Sequence, residues 1–405
     1  MIVVLDEELE RSLLNRARSY GTGETGPLLE LAATLNKEED RIVVGIPGRP
    51  PMLGANIPGV PLLCQALKLR QDETPARPDV AETSTTPAAL VLGVTGSDSE
   101  PLQAFLYPED DSGPEACAIE VVRLEADLFS RIKGIFDTRL LESKTLSVIG
   151  VGSGGSLAAV ELAKAGVGNF ILVDFDRLKA HNISRHVCGL ADIGRFKTRA
   201  VRDAILQHSP AATVECHEVD ITEDDELLEH IVEVSDLVLV GTDNQLSRYV
   251  INEECLAAST PAIYGGAYER AFAGEVIRVI PGLAGCYACV RQGLAKTMGS
   301  VSSQQEFDYT EDTEFAAEPG LGIDISFIAM IQAKLSLLTL LRDTGSSLAD
   351  IDAEMVIWVN SARPEDGDLF SQPMARYFVR VPKVASCPSC GEVSDVTSEE
   401  VGEVT

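Results

Sequence analysis

The sequence of 405 residues is poor in basic residues and in histidine, and each shortage excludes a kind of protein. Lysine and arginine number 33 against 63 acidic residues, which gives a formal net charge of −30 at pH 7. So acidic a chain is not expected to bind nucleic acid across its surface. Histidine occurs five times and first at His181, so residues 1–180 offer no histidine ligand to a metal.

Long apolar segments and a basic N-terminal region are also missing. The longest apolar stretch, residues 321–341, is interrupted by Asp324, Gln332 and Lys334, whereas a membrane-spanning helix needs about 20 apolar residues. The N-terminal segment becomes acidic at once and lacks the basic region of a secretory signal. We therefore expect a cytoplasmic protein with no membrane partner.

Nine cysteines without a secretory signal indicate a reducing compartment, where metal binding is the better interpretation than disulfide bonds. Four of them form two C-x-x-C pairs, Cys286 with Cys289 and Cys387 with Cys390. Four thiolates can surround one Zn²⁺ as a tetrahedral structural site, and we predict that site here. The alternative is a set of four thiols that bind no metal.

The order of apolar and polar segments predicts two folded domains and a tail. Residues 1–120 are predicted to form a smaller α+β domain. Residues 121–391 alternate short apolar strands with amphipathic helices, which predicts a Rossmann-like α/β fold, a mostly parallel sheet with helices on both faces. Residues 392–405 are predicted to be a disordered acidic tail. Strand patterns of the first domain lie at residues 41–46, 88–94 and 102–107.

A glycine-rich turn connects the first apolar strand of the second domain to a helix pattern. Gly150, Gly152 and Gly155 form a G-x-G-x-x-G motif, which allows a tight turn and lets backbone N–H groups approach phosphate oxygens. Asp174 ends the next strand, where a carboxylate can accept hydrogen bonds from ribose hydroxyls. The motif alone is weak evidence for any one function, because a nicotinamide-dependent oxidoreductase or a turn that binds no ligand could also contain it.

The residues that follow favour phosphate chemistry over hydride transfer. Arg185 and Lys197 are a basic pair after the second strand, and Asp243 follows a later strand. A hydride-transfer enzyme needs neither the pair nor this carboxylate. Two cations beside a carboxylate that can hold Mg²⁺ suit the phosphates of a nucleotide such as ATP.

Six ordered stretches resemble the ThiF-type adenylyltransferases, which are relatives of ubiquitin-activating enzymes. They cover about residues 130–333 and read VIGVGSGG, LAKAGVGNFILVDFD, NISRH, GRFKT, GTDN and CYACVR. The resemblance implies that ATP activates the C-terminal carboxylate of a small ubiquitin-fold protein as an acyl-adenylate. It also implies the split zinc site, with the last cysteine pair attaching the C-terminal segment to the body of the domain.

The resemblance further implies a role for particular residues. Asn182, Arg185 and Lys197 would bind and polarise the phosphates, and Asp243 would position Mg²⁺. Arg131 would reach the ATP of the partner protomer in a homodimer. The nucleotide-binding residues implied are Gly150, Gly152, Gly154, Gly155, Asp174, Asp176, Asn182, Arg185, Lys197, Asp243 and Asn244.

Many relatives carry a cysteine in the loop after the first zinc pair, and this chain departs from them. Residues 297–318 contain no cysteine, so either the reaction stops at the adenylate or the nucleophile lies elsewhere. Cys188 is the candidate substitute, because its neighbours Arg185 and His186 would lower the pKa of its thiol. The alternative for Cys188 is a buried core position.

Residues 23–29, GETGPLL, resemble a stretch of the JAB-like metallopeptidases, which cut ubiquitin-like tails. The active form of that fold needs an H-x-H pair around zinc, and no histidine precedes His181. We therefore predict a degenerate domain without a metallopeptidase site.

Two functions remain open, and both are adenylations. The first activates a ubiquitin-like or sulfur-carrier protein with a Gly-Gly tail, for protein conjugation, with a ubiquitin-conjugating-type protein as a further partner. The second adenylates a peptide or a small-molecule carboxylate and needs no such carrier. A non-catalytic binding module is less favoured, because Arg185, Lys197 and Asp243 are all present.

Overall fold

The computed structural model describes residues 1–20, 24–38, 40–46, 59–71, 73–78, 88–95, 101–109, 112–123, 127–297 and 319–391. The chain divides into two compact units, Met1–Arg131 and Ile132–Thr405. The predicted tail, the segment 298–318 of the loop without cysteine, and Gly23 of the JAB-like stretch lie outside the described residues.

In the described residues, the first unit is a closed seven-stranded barrel with a 12-residue helix packed into its core. Strand order is β1-β3-β2-β4-β5-β6-β7, and parallel pairing of β1 with β7 closes the barrel, so each of these seven described strands is paired on both sides. The three predicted strands are confirmed as β3, β5 and β6. The predicted domain boundary at residue 120 lies inside β7. The elements are β1 (Ile2–Asp6), α1 (Glu7–Arg18), β2 (Gly26–Asn36), β3 (Arg41–Gly45), β4 (Val60–Lys68), β5 (Ala89–Val94), β6 (Leu102–Tyr107) and β7 (Glu115–Val122).

Helix α1 fits the barrel because its ends are capped and one stripe is apolar. Asp6 Oδ1 accepts a hydrogen bond from the N–H of Leu9 at 2.7 Å, which satisfies one of the free donors of the first turn. Leu9, Leu13 and Ala17 recur every fourth residue and are buried in the core of the first unit.

The second unit is an eight-stranded sheet with helices on both faces, which confirms the predicted Rossmann-like fold. Strand order is β10-β9-β8-β11-β12-β13-β14-β15; the first five run parallel, and β13 to β15 pair in antiparallel fashion. The strands are β8 (Thr145–Ile149), β9 (Asn169–Val173), β10 (Thr213–His217), β11 (Leu237–Val240), β12 (Ala262–Ala267), β13 (Ala273–Val279), β14 (Met355–Val359) and β15 (Arg376–Val379). The helices are α2 (Arg139–Glu142), α3 (Ser153–Ala165), α4 (Lys197–His208), α5 (Asp225–Val234), α6 (Gln245–Ala257), α7 (Tyr287–Thr297) and α8 (Gly322–Leu340).

The two faces of this sheet carry separate cores. Leu146 and Val148 of β8 pack into one core with buried residues of α3, α4 and α8. Ile149 packs into the other core with residues of α5, α6 and α7. Every residue of β11 is buried, as expected for a strand covered on both faces.

Helix α8 is long and apolar enough to span a membrane, but half of its most apolar 18 residues are buried inside the unit. Its Gln332, which interrupts the apolar sequence, donates hydrogen bonds to the carbonyl oxygens of Val240 at 2.9 Å and Ile263 at 3.1 Å. These contacts attach α8 to β11 and β12. A Cβ atom on Gly265 would lie 2.4 Å from Gln332 Oε1, so a side chain there would displace the Gln332 amide from its present position.

The order in which successive strands are added to the sheet reverses at the boundary between β8 and β11. From β8 the chain adds β9 and β10 on one side, and it then returns to add β11 and β12 on the other. The carboxyl ends of parallel strands lie at one edge, and such a reversal opens a crevice there. The sequence-predicted nucleotide residues of this unit follow β8, β9 and β11 and therefore meet at this edge.

Candidate active site

The glycine turn after β8 has the conformation that its sequence demands. Gly150 has a φ of +89°, and a Cβ atom there would lie 2.7 Å from the backbone nitrogen of Thr242. A Cβ atom on Gly155 would lie 2.0 Å from the carbonyl oxygen of Gly150. Gly152 is the N-cap residue of α3 and has nothing within 4 Å of a Cβ position. The turn thus leaves room beside Gly152 for a ligand at the helix N-terminus.

Asp174, at the end of β9, supports this turn. Its Oδ2 accepts a hydrogen bond from the N–H of Val151 at 3.0 Å, and its Oδ1 accepts one from the N–H of Asp176 at 2.9 Å. Burial raises the pKa of Asp174, an effect that the nearby Lys197 and the two N–H donors oppose. The predicted contact with ribose is not tested by this geometry, but support of the turn is a role that the sequence did not indicate.

Lys197 is the first residue of α4 and lies against two carboxylates. Its Nζ is 2.5 Å from Asp176 Oδ2 and 3.6 Å from Asp174 Oδ1. The Lys197 side chain is 11% exposed, whereas that of Asp176 is 44% exposed. Lys197 is therefore a buried cation at the edge of the glycine turn and not a solvated helix residue.

The segment that carries Asn182 and Arg185 packs against the start of α8. Asn182 Oδ1 accepts a hydrogen bond from the N–H of Lys179 at 2.8 Å, which closes a short 3-10 turn. A Cβ atom on Gly322 would lie 2.7 Å from the carbonyl oxygen of Ser184 and 3.3 Å from the Cα of Arg185. Arg185 is half-buried. The predicted phosphate-binding roles of Asn182 and Arg185 stay predictions.

The loop after β11 places Asp243 and Asn244 near the turn. Gly241 approaches Gly150 so closely that its Cβ would lie 2.6 Å from the carbonyl oxygen of Gly150. Asn244 is the N-cap of α6, with Oδ1 accepting the N–H of Leu246 at 2.7 Å. The cap is thus Asn244 and not Asp243, whose side chain is exposed. The predicted metal role of Asp243 and nucleotide role of Asn244 stay predictions.

Two further residues, Arg131 and Cys188, were predicted to act in catalysis. Arg131 is exposed and belongs to the first compact unit, so its predicted role across a homodimer stays a prediction. Cys188 is only 6% exposed and is part of the core beside α3. Burial raises the pKa of its thiol to about 12, with Asp192 acting in the same direction. The expectation of a lowered thiol pKa at Cys188 is therefore wrong.

The four cysteines of the two C-x-x-C pairs come together. Cys286 directly precedes α7, Cys289 lies in its first turn, and Cys387 and Cys390 lie in the turn-rich segment that follows β15. Sγ atoms of Cys286 and Cys387 are 3.6 Å apart, those of Cys289 and Cys390 are 3.4 Å apart, and all four lie within 4.8 Å of one another. Tetrahedral Zn–S bonds of about 2.3 Å place the sulfur atoms about 3.8 Å apart, so the two close pairs fit and the widest separations need to contract by only about 1 Å. The cluster fits zinc.

A buried polar network at the carboxyl end of β12 was not anticipated. Arg248 of α6 is 4% exposed and donates to the carbonyl oxygens of Thr242 and Gly265. Glu275 forms a buried ion pair with Arg291 and accepts a hydrogen bond from Tyr268 at 2.9 Å. The only sequence signal was a charge within an otherwise apolar segment. A small cavity there is lined by Gln245, Arg248, Gly266, Ala267, Tyr268, Glu275 and Arg291.

Comparison with known proteins identifies the family. The ThiF family matches residues 127–358, more than half of the chain, and the chain belongs to that family. It is 34% identical over 150 residues to a probable adenylyltransferase/sulfurtransferase MoeZ of Mycobacterium tuberculosis, covering 37% of this chain and 38% of MoeZ. It is 30% identical over 163 residues to ubiquitin-like modifier-activating enzyme 5 of Caenorhabditis briggsae, covering 38% of each protein. The matches thus span about two fifths of these curated relatives.

One solved structure supports the fold. The microcin C7 biosynthetic enzyme MccB, solved in complex with N-formylated MccA, aligns with a TM-score of 0.50. It is 19% identical and covers 63% of this chain and 69% of MccB. At this identity the likeness establishes the ThiF-type fold alone.

We predict that the purified protein contains about one zinc ion per chain, held by the four clustered cysteines. Cys387→Ser should lose that zinc and lower the Tm by about 5 °C or more, because structural zinc contributes folding free energy. Elemental analysis and a thermal melt measure both effects. Cys216→Ser, in a partly buried strand position, is the matched control and should keep its zinc. Full stability of Cys387→Ser without zinc in either protein would contradict a metal site.

Proposed function

We propose that this chain uses ATP to adenylate a carboxylate, and that this is the C-terminal carboxylate of a ubiquitin-like or sulfur-carrier protein. The observation that carries the proposal is the glycine turn at the sheet's reversal point, supported by Asp174 and bordered by the buried Lys197. Membership of the ThiF family supports it, as does similarity to a relative whose name includes adenylyltransferase.

The phosphates of ATP would lie at the N-terminus of α3. The first turn of a helix has free N–H donors and a partial positive charge, and Gly152 leaves the approach to them open. Lys197 would exchange its contact with the partly exposed Asp176 for a phosphate oxygen, and Arg185 would add a second positive charge. Bound Mg²⁺ would offset charge on the leaving pyrophosphate, and the exposed Asp243 is the carboxylate that would hold it.

The reaction forms one bond and breaks one. A carboxylate oxygen of the carrier attacks the α-phosphorus of ATP and forms a carboxyl–phosphate bond. The bond between the α-phosphorus and the bridging oxygen breaks, and pyrophosphate leaves with the electron pair. No proton has to move in this step, so the protein needs to position the two anions and offset the charge that develops.

We further propose that no cysteine of this chain takes the acyl group from the adenylate. Four of the nine cysteines form the cluster described above. Cys64, Cys188 and Cys255 are buried, and burial raises each thiol pKa to about 12. Burial also raises the thiol pKa of Cys117 and of Cys216. Because thiolates are the nucleophiles, an external acceptor that attacks the adenylate directly is the better proposal.

Lys197→Ala should reduce ATP–pyrophosphate exchange about 10²- to 10³-fold, since it removes a preorganised charge from the phosphates. Lys164→Ala is the matched control. Lys164 lies exposed on α3, where it pairs with Glu161, and its removal should leave exchange unchanged. Normal exchange by a folded Lys197→Ala protein would contradict the role of Lys197.

The substrate class is tested by the same exchange assay with different carboxylates. We expect exchange with a ubiquitin-fold carrier that ends in Gly-Gly and none with the same carrier amidated at its C-terminus. Exchange with short peptides or small carboxylates, but with no carrier, would contradict the proposed carrier substrate and favour a peptide or small-molecule carboxylate. Absence of exchange with every carboxylate, in protein that binds ATP, would contradict adenylation itself.

A further inference from the structure

Val151, between the first two glycines of the turn, is held at both of its peptide groups. Its N–H donates to Asp174 Oδ2 at 3.0 Å, and its carbonyl oxygen lies 2.9 Å from His186 Nε2. The carbonyl of Val151 and the N–H of Gly152 belong to one planar peptide and point in opposite directions. His186 therefore fixes the direction in which the Gly152 N–H points.

The hydrogen bonds of His186 require one form of its ring. The backbone N–H of Cys188 lies 3.1 Å from His186 Nδ1, and an N–H can only donate, so Nδ1 accepts. The proton of a neutral imidazole then lies on Nε2, which donates to the carbonyl oxygen of Val151. Protonation of Nδ1 would place its N–H opposite the N–H of Cys188, and two donors cannot form a hydrogen bond. Only the neutral ring therefore satisfies both contacts.

The surroundings of His186 also favour the neutral ring. Burial lowers the pKa of His186, and the positive charge of Lys197 at the start of α4 acts in the same direction. The hydrogen bond to the carbonyl oxygen of Val151 and the charge of Asp192, in the turn 190–192, oppose this shift in pKa. Asp174, at the end of β9, faces the other side of Val151, where Lys197 partly offsets its charge. The thiol of Cys188 is buried with a raised pKa, so it adds no charge beside the ring.

We propose that neutral His186 is a positioning residue for the nucleotide, and that protonating it weakens ATP binding. The neutral ring orients the Val151–Gly152 peptide so that the Gly152 N–H faces the phosphate position at the start of α3. A protonated ring loses its bond to Cys188, and the segment that carries Arg185 shifts relative to the turn. The inference rests on the proposed function in one respect, namely that the ligand is ATP.

The first test compares affinities for a non-hydrolysable ATP analogue between about pH 4.5 and 8, a range that extends well below the usual histidine pKa of about 6.5 because burial lowers the pKa of His186. His186→Gln keeps an amide donor and an acceptor but does not titrate. We expect the wild-type Kd to rise about tenfold relative to that of His186→Gln as the pH falls, the size of about one lost hydrogen bond. The analogue's own phosphates titrate equally for both proteins, so the ratio of the two Kd values is the readout.

His230→Gln is the matched control, because His230 lies exposed on α5 and its variant should follow the wild type at every pH. A Kd ratio that stays constant with pH, or tighter relative wild-type binding in acid, would overturn the inference. Failure of the folded wild type to bind the analogue at any pH would overturn the proposed function as well.

A second test needs no variant and so does not depend on the folding of His186→Gln. In protein labelled with ¹⁵N-histidine, the His186 ring should carry its proton on Nε2 near neutral pH. By linkage, a ligand that prefers the neutral ring must lower the pKa of that ring. A His186 pKa that is unchanged or raised when the analogue binds would overturn the inference.

Discussion

The carboxylate of Asp174 accepting the N–H of Val151 is the interaction on which the site depends. It connects the end of β9 to the turn that follows β8, while Gly241, at the end of β11, packs against Gly150 on the other side. The ends of β8, β9 and β11 thus meet at the glycine turn. The same carboxylate lies beside Lys197, so the group that shapes the turn also holds the cation that would meet the phosphates.

Local spacing made the scaffold predictable. A glycine turn between an apolar strand and a helix has one plausible geometry, and Gly150 and Gly155 indeed sit where no side chain fits. The alternation of short apolar strands with helices was sufficient to predict the sheet and its two covered faces. The two C-x-x-C pairs could be joined because four thiolates complete one tetrahedral site and because the resemblance to ThiF-type proteins implies this split arrangement.

What the sequence could not provide was the direction in which side chains point. Cys188 seemed activated because basic residues precede it in the chain. In the fold its thiol lies in the core, where burial and Asp192 raise its pKa. Gln332 was counted as an interruption of an apolar stretch, yet its hydrogen bonds attach α8 to the strands β11 and β12. The partners of His186 also depend on contacts between segments that sequence spacing does not reveal.

The central claim is that the carboxylate itself attacks the α-phosphorus of ATP, and oxygen labelling tests it most directly. A carrier with ¹⁸O in its C-terminal carboxylate is turned over with ATP and an amine acceptor, and the AMP is analysed by mass spectrometry. Attack by the carboxylate transfers one ¹⁸O atom to each AMP, because the acceptor breaks the bond between the acyl carbon and that oxygen. Unlabelled AMP would contradict carboxylate adenylation.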